Sequence, residues 1–349
     1  MFLAWNEIKR NKLKFSLIIG VLVLISYLLF LLSGLAKGLI NMNTEGIDDW
    51  QADAIVLNKN ANETIQQSKF NVSLVDDKFK ESALLKQAGV IVSNKDEEEN
   101  AIFFGTEKDS FLIPKIIEGE TPQHENEVLI DKSLKEKGFK VGDNLELTQV
   151  DEVLKVVGVT ESAKFNASPV IFGDFDTFLK INPMLSEGET NAVVVKDKDF
   201  NDVKLDNDLE VLAIEDFIEE LPGYKEQNLT LNFMIGFLFV ISMTVIGVFL
   251  YVITLQKISL FGVLKAQGFT NGDLAKVMIS QTFILSAIGT IIGLIFTLIT
   301  ALVLPDIVPI KFEYSTLALY GAILIVVSLL GSLFSIFTIR NIDPLEAIG

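Results

Sequence analysis

Long stretches without a single charge alternate, along this chain, with one long stretch crowded with charge. Four uncharged runs stand out: residues 15–36, 227–256, 277–305 and 314–339, of 22, 30, 29 and 26 residues. A bilayer core of about 30 Å takes roughly 20 helical residues, so each run predicts a membrane-spanning helix. The first run follows a basic segment, as a signal peptide would. It is longer than a leader's apolar core, however, and its end, Ser33-Gly34-Leu35-Ala36-Lys37, offers no A-x-A cleavage site. A retained helix is expected.

Between the first and second runs the pattern changes period. Residues 54–57, 102–104, 145–147, 153–159, 170–172 and 192–195 are β-branched or aromatic and read as strands. Residues 81–87, 131–137 and 215–221 read as short helices, and Gly89, Pro114, Gly119, Pro122, Gly138, Gly142-Asp143 and Pro169 read as turns. Strands and helices mingle without a strict βαβ repeat, which predicts an α+β domain with a mixed sheet. The expected fold class is therefore a membrane protein with four transmembrane α-helices, in a one-plus-three arrangement around an extracytoplasmic α+β domain. The expected segments are a cytoplasmic amphipathic start (1–14), helix one (15–40), the outer domain (41–226) and helix two (227–256). A cytoplasmic loop (257–275), helix three (276–305), a short outer loop (306–313), helix four (314–339) and a cytoplasmic tail (340–349) complete the chain.

Charge sharpens this division. Of the 46 acids in the chain, 40 fall within residues 41–231, against 19 of the 29 bases, so that block is an acidic, water-soluble domain. The remainder is apolar with a small basic excess, and half of all residues are hydrophobic. A net charge of −17 excludes a nucleic-acid-coating role, which needs a basic face. Near the span ends, Lys9, Arg10, Lys12, Lys14, Lys257, Lys265, Lys276 and Arg340 lie on one side, whereas Lys37 and Lys311 lie on the other. The positive-inside rule then puts both termini in the cytoplasm.

Candidate chemistry is sparse. There is no cysteine and one histidine, His124, in a polar loop, which excludes thiolate zinc sites and histidine triads. No phosphate-binding loop, hydrolase elbow or zincin motif occurs. The four runs contain no ionisable residue, unlike the spans of proton- or sodium-coupled carriers. The chain is expected to be no enzyme and to hold no intrinsic cofactor, so any transport must draw on a partner's energy. Gly289 and Gly293 form a G-x-x-x-G step for close helix packing. After the second run, Ile258, Phe261, Leu264 and Lys265 fall at helical spacing, Gly268 can end that helix, and Thr270 with Asp273 can start the next. Such a short amphipathic helix reads either as a surface helix between spans or as a docking element for a cytoplasmic protein.

These residues carry a resemblance. Gly262-Val263-Leu264-Lys265-Ala266-Gln267-Gly268 is similar to the loop before the third helix of FtsX-like ABC transporter permeases, although Lys257–Phe261 departs from that family's usual opening. The tail Asp343-Pro344-Leu345-Glu346-Ala347-Ile348 and the start Ala4-Trp5-Asn6-Glu7-Ile8-Lys9-Arg10 resemble the family's ends. Within the outer domain, residues 118–122, 128–130, 142–143 and 156–159 resemble the MacB-like core, and the end of helix one looks most similar to the haem-export (HrtB-type) subfamily. The resemblance implies a homodimeric permease in the bacterial cell membrane, bound to a cytoplasmic ABC ATPase that uses ATP and Mg and relays its closure by mechanotransmission. Ile258, Phe261, Gly262, Leu264, Lys265 and Gly268 would then couple to the ATPase. Haem or another toxic amphipathic compound would be substrate, with Lys37, Tyr224 and Phe233 as a candidate cleft in contact with membrane lipid. The alternative is an FtsX-like regulator that relays ATPase state to an outer partner such as a cell-wall hydrolase.

Overall fold

The computed structural model describes residues 2–94, 97–148, 150–305 and 308–340. It begins with helices α1 (Phe2–Arg10) and α2 (Lys12–Trp50). Twelve strands then follow among the described residues: β1 (Ala54–Asn58), β2 (Phe70–Asn71), β3 (Ser82–Ser93), β4 (Glu98–Gly105), β5 (Ile116–Gly119), β6 (Glu127–Asp131), β7 (Asn144–Leu147), β8 (Val153–Thr160), β9 (Val170–Gly173), β10 (Glu189–Thr190), β11 (Ala192–Val195) and β12 (Leu209–Ala213). Short helices α3 (Lys132–Glu136), α4 (Phe175–Ile181) and α5 (Ile214–Glu219) lie among and after them. The chain then returns to long helices: α6 (Tyr224–Leu255), the short α7 (Ile258–Ala266), α8 (Asn271–Val303) and α9 (Tyr314–Arg340). Four of these, α2, α6, α8 and α9, are long and apolar enough to cross a membrane. They hold the four uncharged runs but for Gln256 after α6 and Leu304–Pro305 after α8. The chain divides into two compact units, residues 1–38 with 228–349 and residues 39–227.

In the inserted unit ten strands form one mixed sheet in the order β12-β1-β11-β3-β4-β9-β6-β8-β5, with β7 paired to β3 and β8, and β2 and β10 form a separate two-stranded sheet. Most neighbours are antiparallel; β4–β9 and β6–β8 are parallel. Successive side chains point to opposite faces, and the packing follows that parity. Leu85, Phe104, Leu129 and Phe172 face one core. Ala88, Val90, Phe103, Val128, Ile130 and Ile171 face the other, which α3 and α4 cover through Leu134, Phe178 and Ile181.

Residues 81–87 form no helix. Residues 82–87 belong to β3, the longest strand among the described residues, in which Gly89 lies opposite Ile102 rather than in a turn. Ala, Leu, Lys and Gln favour helix locally. That preference is outweighed because β3 is paired on both sides, to β4 and β11, and packs on both faces.

The end of α2 is part of the inserted unit's core. Trp50, its last residue, is 1% exposed and lies 6.1 Å from the Phe104 ring and 6.4 Å from the Phe165 ring. The loop before β9 grips the preceding turns of the same helix. The amides of Asn166 and Ala167 donate to the Asn43 and Met42 carbonyls at 3.0 Å, and the Gly46 amide donates to the Lys164 carbonyl at 2.8 Å. Asn166 and Ala167 hold left-handed φ angles of 48° and 62°, a conformation that costs a non-glycine residue about 1–2 kcal/mol. The start of α6 meets the same core through Tyr224, beside Phe217 and Leu221.

Asp131 is wholly buried beneath this region and caps α3, accepting from Ser133 Oγ at 2.6 Å and the Leu134 amide at 3.1 Å. Burial raises its carboxyl above the ordinary carboxylate range, against the opposing pull of the Ser133 hydroxyl and the Leu134 amide. A folded-state value above the unfolded one gives stability that is fully present below the unfolded pKa and is lost as pH rises through the folded one. Asp131→Asn keeps the cap and removes the charge. Thermal unfolding of the detergent-solubilised chain should show the variant gaining on the wild type as pH rises from the carboxylate range toward neutrality. A gap that does not widen with pH would show that Asp131 is not held protonated.

Candidate functional site

The corner between α6 and α8 is built from a helix break and a cap. Lys257, between α6 and α7, has φ −113° and ψ 12°, outside helix geometry, and it turns the chain into α7. Gly268, at φ +96°, closes α7 where a side chain would be strained. Thr270 and Asp273 then form a reciprocal capping box that opens α8.

The apolar face of α7 is turned differently from the expectation. Phe261 is 3% exposed and packs in a core with Phe15, Ile253, Leu274 and Met278, and Leu264 packs against the same core. Gly262 is buried too, and Ile258 and Lys265 are half-buried. Phe261 therefore cannot be a free docking residue: the 3–4 spacing marks the face that α7 buries against its own bundle. The face it exposes carries Leu260 (49%) and Val263 (41%), with Phe269 (41%) just beyond the helix.

The three cleft candidates each have a partner of their own. Lys37 is ion-paired with Glu313 at 3.9 Å. Phe233 is exposed and stands edge-to-face with Phe237, ring centroids 4.7 Å apart. Tyr224 packs against the core of the inserted unit. The glycine step, by contrast, is an intrachain seam. A Cβ at Gly289 would lie 2.5 Å from Leu22 Cβ, and one at Gly293 would lie 1.9 Å from Ser26 Oγ. Ser26 Oγ donates to the Gly289 carbonyl at 3.1 Å, and Tyr27 OH meets Thr300 Oγ1 at 3.1 Å. Small residues let α2 and α8 approach closely, so this face is taken up within one chain. The tail 341–348 lies outside the described residues.

Sequence reasoning missed a polar junction at this corner. Glu7 of α1 accepts from Lys257 Nζ and from Gln281 Nε2 of α8. Its signals were available: Glu7 is the one acid before residue 45, and Gln281 the one carboxamide in the run 277–305.

Comparison with known proteins agrees with this architecture. Residues 15–208 match the MacB-like periplasmic core domain, and residues 232–344 match the FtsX-like permease C-terminal region. The chain belongs to the FtsX-like, MacB-type ABC transporter permeases. Among its relatives in that family, the Staphylococcus haemolyticus protein that bears the name hemin transport system permease protein HrtB is 27% identical, over 100% of this chain and 99% of that one. The namesake from Staphylococcus epidermidis is also 27% identical over the same shares. An uncharacterized ABC transporter permease of Mycobacterium tuberculosis is 22% identical over 77% of this chain and 74% of its own. Among solved structures, the periplasmic region of MacB from Actinobacillus actinomycetemcomitans aligns with a TM-score of 0.36 at 12% identity, over 50% of this chain and 94% of that one. The extracellular domain of the Gram-positive transporter YknZ gives 0.33 at 13%, over 46% and 98%.

Truncation of Phe261 tests the reassigned face. Phe261→Ala should lower the stability of the isolated permease by about 3–5 kcal/mol, the usual cost of deleting a buried phenyl ring. Thermal or denaturant unfolding in detergent measures this. A variant as stable as the wild type would mean that the ring is not packed in the bundle.

Proposed function

We propose that this permease works as a homodimer with a separate cytoplasmic ABC ATPase and exports haem, or another toxic amphipathic compound, by mechanotransmission. The observation that carries the cargo assignment is the full-length likeness to permeases named for hemin transport, which spans both the membrane helices and the inserted domain. The mechanism is supported by α2 and α6. Each is a candidate span, and each has one end in the same aromatic core of the inserted domain, through Trp50 and Tyr224.

With both termini cytoplasmic, α7 faces the ATPase. Leu260 and Val263 form the apolar stripe that an ATPase groove would accept, as amphipathic helices dock in grooves generally. Phe261 and Leu264 hold α7 from behind. For a flat, apolar cargo with acidic edges, the exposed Phe233–Phe237 pair offers an aromatic face, and Lys37 offers a cation whose present partner, Glu313, is itself exposed.

The complex should be tested in proteoliposomes with hemin. Expected are a Soret shift on titration, ATP hydrolysis that rises with hemin, and no hydrolysis by the permease alone. Leu260→Asp with Val263→Asp should abolish co-purification of the ATPase while the permease still folds. Hydrolysis and spectrum indifferent to hemin would favour the regulator that relays ATPase state to an outer partner. Robust hydrolysis by the permease alone, or retention of the ATPase by the double variant, would overturn the coupling assignment.

A further inference from the structure

Four elements meet at one part-buried ion pair. Glu7 lies on α1 and Lys257 at the break between α6 and α7; their side chains are 16% and 12% exposed. Lys257 Nζ donates to Glu7 Oε1, and Gln281 Nε2, from wholly buried Gln281 of α8, donates to Glu7 Oε2. The Lys257 ammonium also lies 5.1 Å from the centre of the Phe15 ring of α2, within cation–π range. Beside it, Lys14 Nζ donates to Gln256 Oε1 at 2.6 Å, a second link from α2 to the same break.

A buried ion pair is a poor source of stability, because desolvation cancels most of the attraction; its better-attested use is to fix one arrangement among several. What this pair fixes is the point where α6 ends and α7 begins. Lys257 leaves helix geometry there, so the direction of α7 depends on what holds that residue. The hold comes from α1, a short helix with no strand or cap linking it to α7. Loss of either charge would leave the other part-buried and unpaired.

We infer that Glu7 and Lys257 form a latch that joins the N-terminal helix α1 to helix α7 and, through Gln281, seats both on α8, so that α1 and α7 keep one arrangement relative to each other. Glu7 and Lys257 are positioning residues: they touch no cargo and no nucleotide, and act by setting the orientation of the Leu260–Val263 face. Gln281 steadies the latch. Its Oε1 has no hydrogen-bond partner in the structure, so the same amide can turn and accept from a cation placed at position 7. The latch therefore tolerates reversal of its charges. That α7 is the ATPase-coupling element rests on the function proposed above; the joining of α1 to α7 does not.

The chain has no cysteine, which permits clean spin labelling. Exposed Asn6 and Ser259, changed as Asn6→Cys and Ser259→Cys, place one label on α1 and one on α7. Pulsed dipolar spectroscopy of the full-length chain should give one narrow distance. Glu7→Gln and Lys257→Met should each broaden it, and Glu7→Lys combined with Lys257→Glu should restore it. In the complex, with hemin as probe, the single variants should keep the ATPase bound yet export about tenfold less hemin per ATP, within the range of an ordinary coupling free energy; the reversed pair should recover. An unbroadened distance in both single variants, or a reversed pair no better than the singles, overturns the latch. If distances respond as expected but no ATPase binds any form, the latch stands and the coupling reading fails.

Discussion

Burial of Trp50 against the rings of Phe104 and Phe165 is the constraint on which the rest of this molecule depends. A membrane helix can move a soluble domain only if its end is fixed within that domain. Here the last residue of α2 is a core residue, and the loop 162–168 adds main-chain hydrogen bonds to the helix one to two turns earlier. Side-chain packing alone would resist pulling but allow rotation. Bonds to the Met42 and Asn43 carbonyls and from the Gly46 amide fix the azimuth of the helix as well. The left-handed backbone at Asn166 and Ala167 is the strain accepted to bring those amides to the helix.

In the other unit, α2 is held by a different kind of contact. Lipid tails are as apolar as leucine, so hydrophobicity does little to join helices in a membrane, and close packing with hydrogen bonds does more. The α2–α8 seam uses both. Gly289 and Gly293 admit Leu22 and Ser26, and Ser26, Tyr27, Thr297 and Thr300 exchange hydrogen bonds along it. One helix thus takes part in a hydrogen-bonded seam in the bundle and in an aromatic core in the inserted domain, and both contacts fix its register.

Much of this was legible in the sequence, because it rests on one-dimensional signals. Runs of 22–30 residues without a charge have few alternatives to a span, and the acidic block between two of them could only be a soluble insertion. The strands at 153–159 and 192–195 were readable because valine dominates them, and those at 54–57 and 145–147 because short apolar stretches lie between polar, turn-forming residues. Residues 81–87 were not: their composition favours helix, and only pairing with β4 and β11, far away in sequence, makes them a strand. The face of α7 was misread for a related reason. A 3–4 spacing reports an apolar stripe but not which neighbour covers it, and Phe15 and Met278 proved to be the neighbours of Phe261. Glu7 and Gln281 escaped notice because a single polar residue gains meaning only from a partner, and theirs lie some 250 residues or more distant.

The central proposal is that ATP binding by the partner ATPase, received at the corner between α6 and α8, is expressed as movement of the inserted domains of two copies. One label per chain tests it most directly. Met184, on the surface of the inserted domain and 82% exposed, can carry a spin label after Met184→Cys, and any dipolar signal then requires two copies. The account predicts a defined distance between copies in the nucleotide-free complex and a different one when the ATPase is trapped with ATP. The same distance in both states, or no dipolar signal from the intact complex, would contradict it.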